Sequence, residues 1–149
     1  MESSINKARS FLNQKKYQET IDTCNEILSS DSQSIEALTL IANSLLALKQ
    51  IEEARIYLNK ALNIESDNCQ AIKDLGNTYQ ALGDLHLAKT CFKKALSIDS
   101  SYAPALTNLA NLELSSGNQQ QALSLLIKAT QSDPLLAPAW SNLANTYIQ

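Results

Sequence analysis

The chain has 149 residues, 44% of them apolar and 18% charged, with a formal net charge of −3; it fits one folded domain and lacks the basic footprint of a nucleic-acid binder. Only 3 Gly and 3 Pro occur, too few for the turns of an all-β protein, and aromatics are 5%, so the core must come from Leu, Ile and Ala. Cys24, Cys69 and Cys91 are an odd set without CxxC spacing; they read as small buried apolar residues in a reducing, cytoplasmic setting, not as a disulfide frame or zinc site. No apolar run approaches the roughly 18 residues of a membrane span. The opening MESSINKARSFLNQKK has no uninterrupted apolar segment, which disfavours a secretory signal.

The chain repeats itself. Residues 103–114 read APALTNLANLEL and residues 137–148 read APAWSNLANTYI, 34 residues later. The same shift aligns the whole chain without a gap, into units 1–34, 35–68, 69–102, 103–136 and a partial unit 137–149. Each unit is expected to hold two helices, one over about its first 14 residues and one over about its residues 18–30.

In chain order, the first unit is the least typical. Ser4 and Lys7 stand where later units have apolar residues, and a polar outer face is what the terminal cap of a stacked array needs. From the second unit on, the columns regularise. The eighth column is Ala8, Ala42, Gly76, Ala110, Ala144; the twentieth is Thr20, Ala54, Ala88, Ala122; the twenty-seventh is Ile27, Ala61, Ala95, Ala129. Such small side chains let helix axes approach near the low end of the usual range of about 8–10 Å. Larger residues fill the columns between, as in Ile41, Leu75, Leu109, Leu143 and in Leu28, Leu62, Leu96, at spacings of three, four and seven that mark helical stripes. In the third and fourth units Gly83 and Gly117 follow the first helix, where a left-handed residue is favoured. Pro104 and Pro138 fall in the first turn of their helices, and Asp31, Glu65, Asp99 and Asp133 mark the bends between units. The fifth unit has a first helix only. Either it caps the array, or the sequence is cut from a longer one, and the missing second helix favours the cut.

The period, the small and large columns and runs such as DLGNTYQALGDLHLAKTCFKKALSID resemble the tetratricopeptide repeat. Residues 69–102 fit that pattern at Leu75, Gly76, Tyr79, Ala88, Phe92 and Ala95, with Ile72 in place of its Trp and Ser100 in place of its Pro. The resemblance implies an all-α fold, a right-handed superhelical solenoid of antiparallel helix hairpins with about four and a half units. It also implies that the first helices line the concave side.

Chemistry is sparse. His86 is the one histidine and opens a second helix, without recurring Cys, Asp or Glu around it; it reads as a first-turn surface residue. Cys24 and Cys91 read as packing, Trp140 as core, and no glycine-rich phosphate loop occurs. The chain reads as a non-enzyme with no cofactor or metal.

The inner columns carry a theme instead. The ninth is Arg9, Asn43, Asn77, Asn111, Asn145 and the sixth is Asn6, Leu40, Asp74, Asn108, Asn142. A carboxamide has one acceptor oxygen and two donor hydrogens, so it can bond a guest peptide's N–H and C=O together. This row resembles the asparagine ladder in the repeat arm of O-linked N-acetylglucosamine transferase. Resemblance to carboxylate-gripping relatives also places Lys73, Asn77 and Asn108 in three of five clamp positions; Pro138 and Asn142 fill the other two without charge, and Asp74 balances Lys73. The leading expectation is therefore a scaffold that binds an extended protein or peptide segment through Asn43, Lys73, Asn77, Asn108, Asn111, Asn142 and Asn145, with no nucleic acid or membrane as partner. One alternative is the substrate-recruiting arm of a larger enzyme such as a glycosyltransferase. Another is a self-associating assembly module, pairing through Trp140, Leu143, Tyr147 and Ile148 on the last helix.

Overall fold

A computed structural model describes residues 2–148. Nine α-helices and no strands are found among the described residues: α1 Glu2–Asn13, α2 Tyr17–Ser30, α3 Ile35–Ala47, α4 Ile51–Ile64, α5 Cys69–Ala81, α6 Leu85–Ile98, α7 Ala103–Ser115, α8 Gln119–Ser132 and α9 Ala137–Ile148. Each second helix begins one residue earlier than the periodicity predicts.

The turns explain the regularity. Within each hairpin, the amide N–H that follows the left-handed residue reaches back to the last turn of the first helix: Lys16 to Phe11 O, Gln50 to Leu45 O, Asp84 to Tyr79 O and Asn118 to Glu113 O, at 2.8–2.9 Å. This closes the helix with a Schellman motif. Gly83 and Gly117 supply the positive φ in two hairpins, but Lys15 (φ 59°) and Lys49 (φ 65°) supply it in the other two. A non-glycine residue incurs a penalty of about 1–2 kcal/mol there, which the hydrogen bonds that close the turn offset. Between units, Asp31, Asp99 and Asp133 each accept a backbone N–H two residues on, at 2.9–3.1 Å, and so fix the bend. Glu65 is one methylene longer and instead accepts from the side chain of Asn68 at 3.3 Å. Asn68, Ser34 and Asp84 then cap the helices that follow them.

The hairpins stack in register. The first helices α1, α3, α5, α7 and α9 form one layer and the second helices α2, α4, α6 and α8 the other. Neighbouring first helices touch in the pairs α1–α3, α3–α5 and α7–α9, whereas second helices pack on first helices and not closely on one another. Crowding on one side and splaying on the other curves the array, with the first helices inside. The alanines of the three small columns have no exposed surface from Ala8 to Ala129, except where Gly76, Thr20 and Ile27 replace them.

Gly76 shows how tight the seam is. A Cβ built there would lie 2.5 Å from Cε1 of Phe92, whose ring is fully buried. The other hairpins use a different division of volume, Ala42 with Leu58 and Ala110 with Leu126, all fully buried. One aromatic ring therefore requires one absent methyl.

Three sequence expectations need correction. Trp140 is not core: it is 51% exposed, since no helix among the described residues covers its face of α9, and its ring N–H bonds Pro134 O at 3.0 Å. Leu143 is not an exposed contact residue: it is 8% exposed and packs on Ala110, Ala122 and Leu126. Of the cysteines only Cys24 is buried, where burial pushes its thiol up to about 11; Cys69 and Cys91 are half-buried. No helix of the described residues is long and apolar enough to cross a membrane.

The Gly76–Phe92 fit predicts a coupled pair of substitutions. Gly76→Ala should destabilise the domain by about 1 kcal/mol, overpacking outweighing the gain in helix propensity. Phe92→Leu alone should cost about 1–2 kcal/mol. The double variant, which reproduces the pairing of the neighbouring hairpins, should recover most of this, and urea melts of the four proteins measure the coupling. Additive losses would contradict the account.

Candidate functional site

Asparagines of the ninth column meet the sixth column of the following unit. Asn108 donates to Oδ1 of Asn77 at 2.7 Å, and Asn142 donates to Oδ1 of Asn111 at 2.8 Å. The repeat places these partners 31 residues apart in both cases. All four side chains are half-buried. Each pair uses one donor and one acceptor and makes no other side-chain hydrogen bond among the described residues, which leaves both amides with valence for a guest. They form rungs across the inner layer, from α5 to α7 and from α7 to α9.

The same contact recurs one unit earlier with different chemistry. Asn43 faces Asp74, which is fully buried, and Asp74 is paired with Lys73 through Oδ1. Its Oδ2 has no hydrogen-bond partner among the described residues. Burial pushes the Asp74 carboxyl above the usual carboxylate range; Lys73, and then Asn43, pull the other way without cancelling it. In the first unit Arg9 bonds Asn6 at 3.2 Å and forms an ion pair with Glu36. Asn145 is exposed on the last helix. Of the residues named from sequence, the structure thus brings together Asn77 with Asn108, Asn111 with Asn142, and Lys73 with Asp74. It sets Asn43 against Asp74 and leaves Asn145 apart. Three cations do not converge: Lys73 is neutralised by its neighbour.

Two depressions lie along this wall. One, of about 310 Å³, includes Arg9, Glu36 and Thr39 on the inner face, with Glu65, Asn68 and Gln70. The other, of about 200 Å³, opens between α5 and α7. It is lined by Lys73 and Asn77 of α5, Pro104, Asn108 and the buried Thr107 of α7, Leu136 of the turn before α9 and Pro138 of α9. A larger dish of about 580 Å³ at Gly117–Gln121 and Leu123 is formed by a single turn and the start of α8, on exposed surface away from the rungs.

A second buried carboxyl was marked in the sequence only by its place in an apolar column. Glu113 has no exposed surface, pairs with Lys89 and accepts from Asn118 at 2.8 Å. Lys89 is the main cause that holds it below the usual range, with Asn118 adding to the effect against burial. His86 is exposed, and no group of three His, Cys, Asp or Glu that could hold a metal occurs among the described residues. Leu136 was not legible as part of the cavity lining, whereas Pro104 and Pro138 recur at one column and Pro138 already stood at a clamp position.

Comparisons agree with the architecture. The family profile described as Tetratricopeptide repeat matches residues 67–134. That described as Anaphase-promoting complex, cyclosome, subunit 3 matches residues 2–61. No curated protein matches the chain in sequence. Among solved structures, the chain is similar to a thermophilic TPR protein of Thermus thermophilus (TM-score 0.89, 19% identity, covering 99% of this chain and 81% of that one). It is similar to MamA (TM-score 0.72, 17% identity, 89% and 78% covered). It is also similar to YrrB, a TPR protein with an unusual peptide-binding site (TM-score 0.65, 23% identity, 97% and 75% covered). At these identities the likeness is one of fold.

The two carboxyls predict opposite responses to acid. A carboxyl with a raised folded pKa costs stability above that pKa, and the cost disappears as pH falls through it; a lowered one contributes stability above its unfolded value, which is lost as pH falls through the folded value. Asp74→Asn should therefore stabilise the domain at pH 7, by about 1 kcal/mol, and by less at about pH 4, where the wild-type carboxyl already takes up its proton. Glu113→Gln should do the reverse, destabilising at pH 7 and mattering less in acid. Denaturant melts at the two pH values check both signs.

Proposed function

We propose that this chain, with the fold of tetratricopeptide-repeat proteins and that family's profile over residues 67–134, is a scaffold that holds an extended segment of a partner protein along its inner layer, with the paired asparagines bonding the guest's backbone. The observation that carries this reading is the pair of rungs Asn77–Asn108 and Asn111–Asn142, equivalent in position, half-buried and with amide valence to spare. Backbone recognition suits such rungs, because a carboxamide can answer both a peptide N–H and its C=O whatever side chain the guest carries. The peptide-binding site of the similarly folded YrrB lends the reading a precedent in kind. Lys73 adds little long-range attraction, since Asp74 neutralises it.

A second reading, self-association, draws on α9. The helix APAWSNLANTYI has no charged residue, and Trp140, Tyr147 and Ile148 are 51%, 65% and 83% exposed. Trp140 and Tyr147 are seven residues apart and flank the exposed Ala144, so they share the face that a second helix covers in the other hairpins. With Leu143 turned inward, the contact rests on three side chains rather than four.

Two measurements separate these readings. Replacing Asn108, Asn111 and Asn142 together by Ala should leave helicity intact and weaken a peptide selected on the intact chain by at least about thirtyfold. Full-strength binding by the folded variant would remove the groove as the site. Sedimentation over a concentration range should show a dimer that weakens in Tyr147→Glu/Ile148→Glu; a monomer throughout would end the second reading.

A further inference from the structure

The cavity between α5 and α7 points to a side-chain preference. Its counterpart two units earlier is lined by equivalent columns, so the two can be compared position by position. Arg9 corresponds to Asn77, Glu36 to Pro104, Asn68 to Leu136 and Gln70 to Pro138. The earlier depression carries charges of both signs and is crossed by the Arg9–Glu36 ion pair. The later one replaces a carboxylate, a carboxamide and another amide by two prolines and a leucine. Thr107 keeps the threonine of the lining, but its hydroxyl donates to Ala103 O at 2.9 Å, so that group is already bonded within its own helix. Lys73, the one charged residue of the lining, is occupied by Asp74. The remaining polar edge is the Asn77–Asn108 rung.

The unit between the two depressions differs again. In the column of Asn68 and Leu136 it has Tyr102, packed beside Ile72, Ala95 and Ala105. The ring is half-buried, and burial pushes its phenol up to about 12. A bulky ring stands where the other two units leave room.

Resting on the groove reading above, we infer that the cavity walled by Pro104, Leu136 and Pro138 takes one uncharged apolar side chain, aliphatic or aromatic, of an extended guest peptide whose backbone crosses the Asn77–Asn108 rung. Size permits it: a cavity of about 150 Å³ accepts a benzene ring, and this one measures about 200 Å³. Charge favours it as well. With Lys73 paired to Asp74, neither a cationic nor an anionic guest side chain finds an unpaired counter-charge in the lining. The apolar anchor would fix where along the solenoid the guest sits, which backbone bonds to repeated rungs cannot do alone. It also gives the groove two unlike ends, polar at the first units and apolar at the last.

The probe is a phage-displayed library of random dodecapeptides, panned on the intact chain, with the enriched peptides measured by fluorescence polarisation. They should share one Leu, Ile, Val, Met, Phe or Trp position, and changing that residue to Ser should weaken binding about tenfold or more. Leu136→Tyr, which places in this cavity the residue found one unit earlier, should weaken the parent peptide similarly and the Ser peptide hardly at all. Pro138→Glu, at an exposed position where the second unit has Glu36, should act the same way and serves if the tyrosine disturbs folding. Peptides that depend on Asn108, Asn111 and Asn142 but share no apolar position, or bind both cavity variants at full strength, would overturn the anchor and leave the groove standing. Peptides indifferent to the asparagine triple would overturn the groove and the anchor with it, as would a library from which nothing is enriched.

Discussion

The structure depends on close approach between helices whose contact faces carry almost no side chain. Ala42, Ala54, Ala61, Ala88, Ala95, Ala110, Ala122 and Ala129 are wholly buried. Each removes the bulk that would hold two helix axes apart, and each brings backbone and larger neighbours into van der Waals range. Dispersion is weak per atom pair but large when summed over a dense seam. Phe92 against Gly76 is the limiting case, in which ring and backbone leave no room for a methyl. Because the seam recurs at every hairpin, the inner faces of the first helices come into register, and equivalent columns become equivalent places in space.

That register turns a sequence column into a row of contacts. Once the ninth column of one unit meets the sixth of the next, the chemistry at each junction is set by two residues. An arginine redirects to Glu36, an asparagine faces a buried aspartate, and two asparagine pairs close on each other. The aspartate is the costly member. It is desolvated, only half satisfied by Lys73, and lacks a partner at Oδ2. Glu113, buried as completely, is better served by Lys89 and Asn118. In Asp74 desolvation outweighs Lys73 and Asn43, whereas in Glu113 the bond from Lys89 outweighs desolvation.

Much of the fold was legible because periodicity reports packing directly. Small residues at three columns in the second, third and fourth units imply helices in close contact, as a stacked hairpin provides. That the asparagine columns would face the concave side was what the family resemblance implied. Other features escaped because they depend on what a residue does not touch. Trp140 sits in a core column, but its face of α9 is uncovered. Lys15 and Lys49 adopt the conformation that Gly83 and Gly117 announce openly, since the hydrogen bonds of the turn outweigh the preference of the residue. That Asn77 and Asn111 would commit an oxygen to the next unit needed inter-helix distances that no column contains. Leu136 carries no groove signal in the sequence and joins Pro104 and Pro138 in one lining only in the folded chain.

The unequal contact of the two layers has a mechanical consequence. The first helices touch one another through packing and rungs, while the second helices have no comparable direct contact among themselves. Nearest-neighbour construction lets small rotations at successive junctions add along the length. Rotation at a junction can therefore change the spacing of the second helices, and with it the arc, while every hairpin keeps its own interior intact.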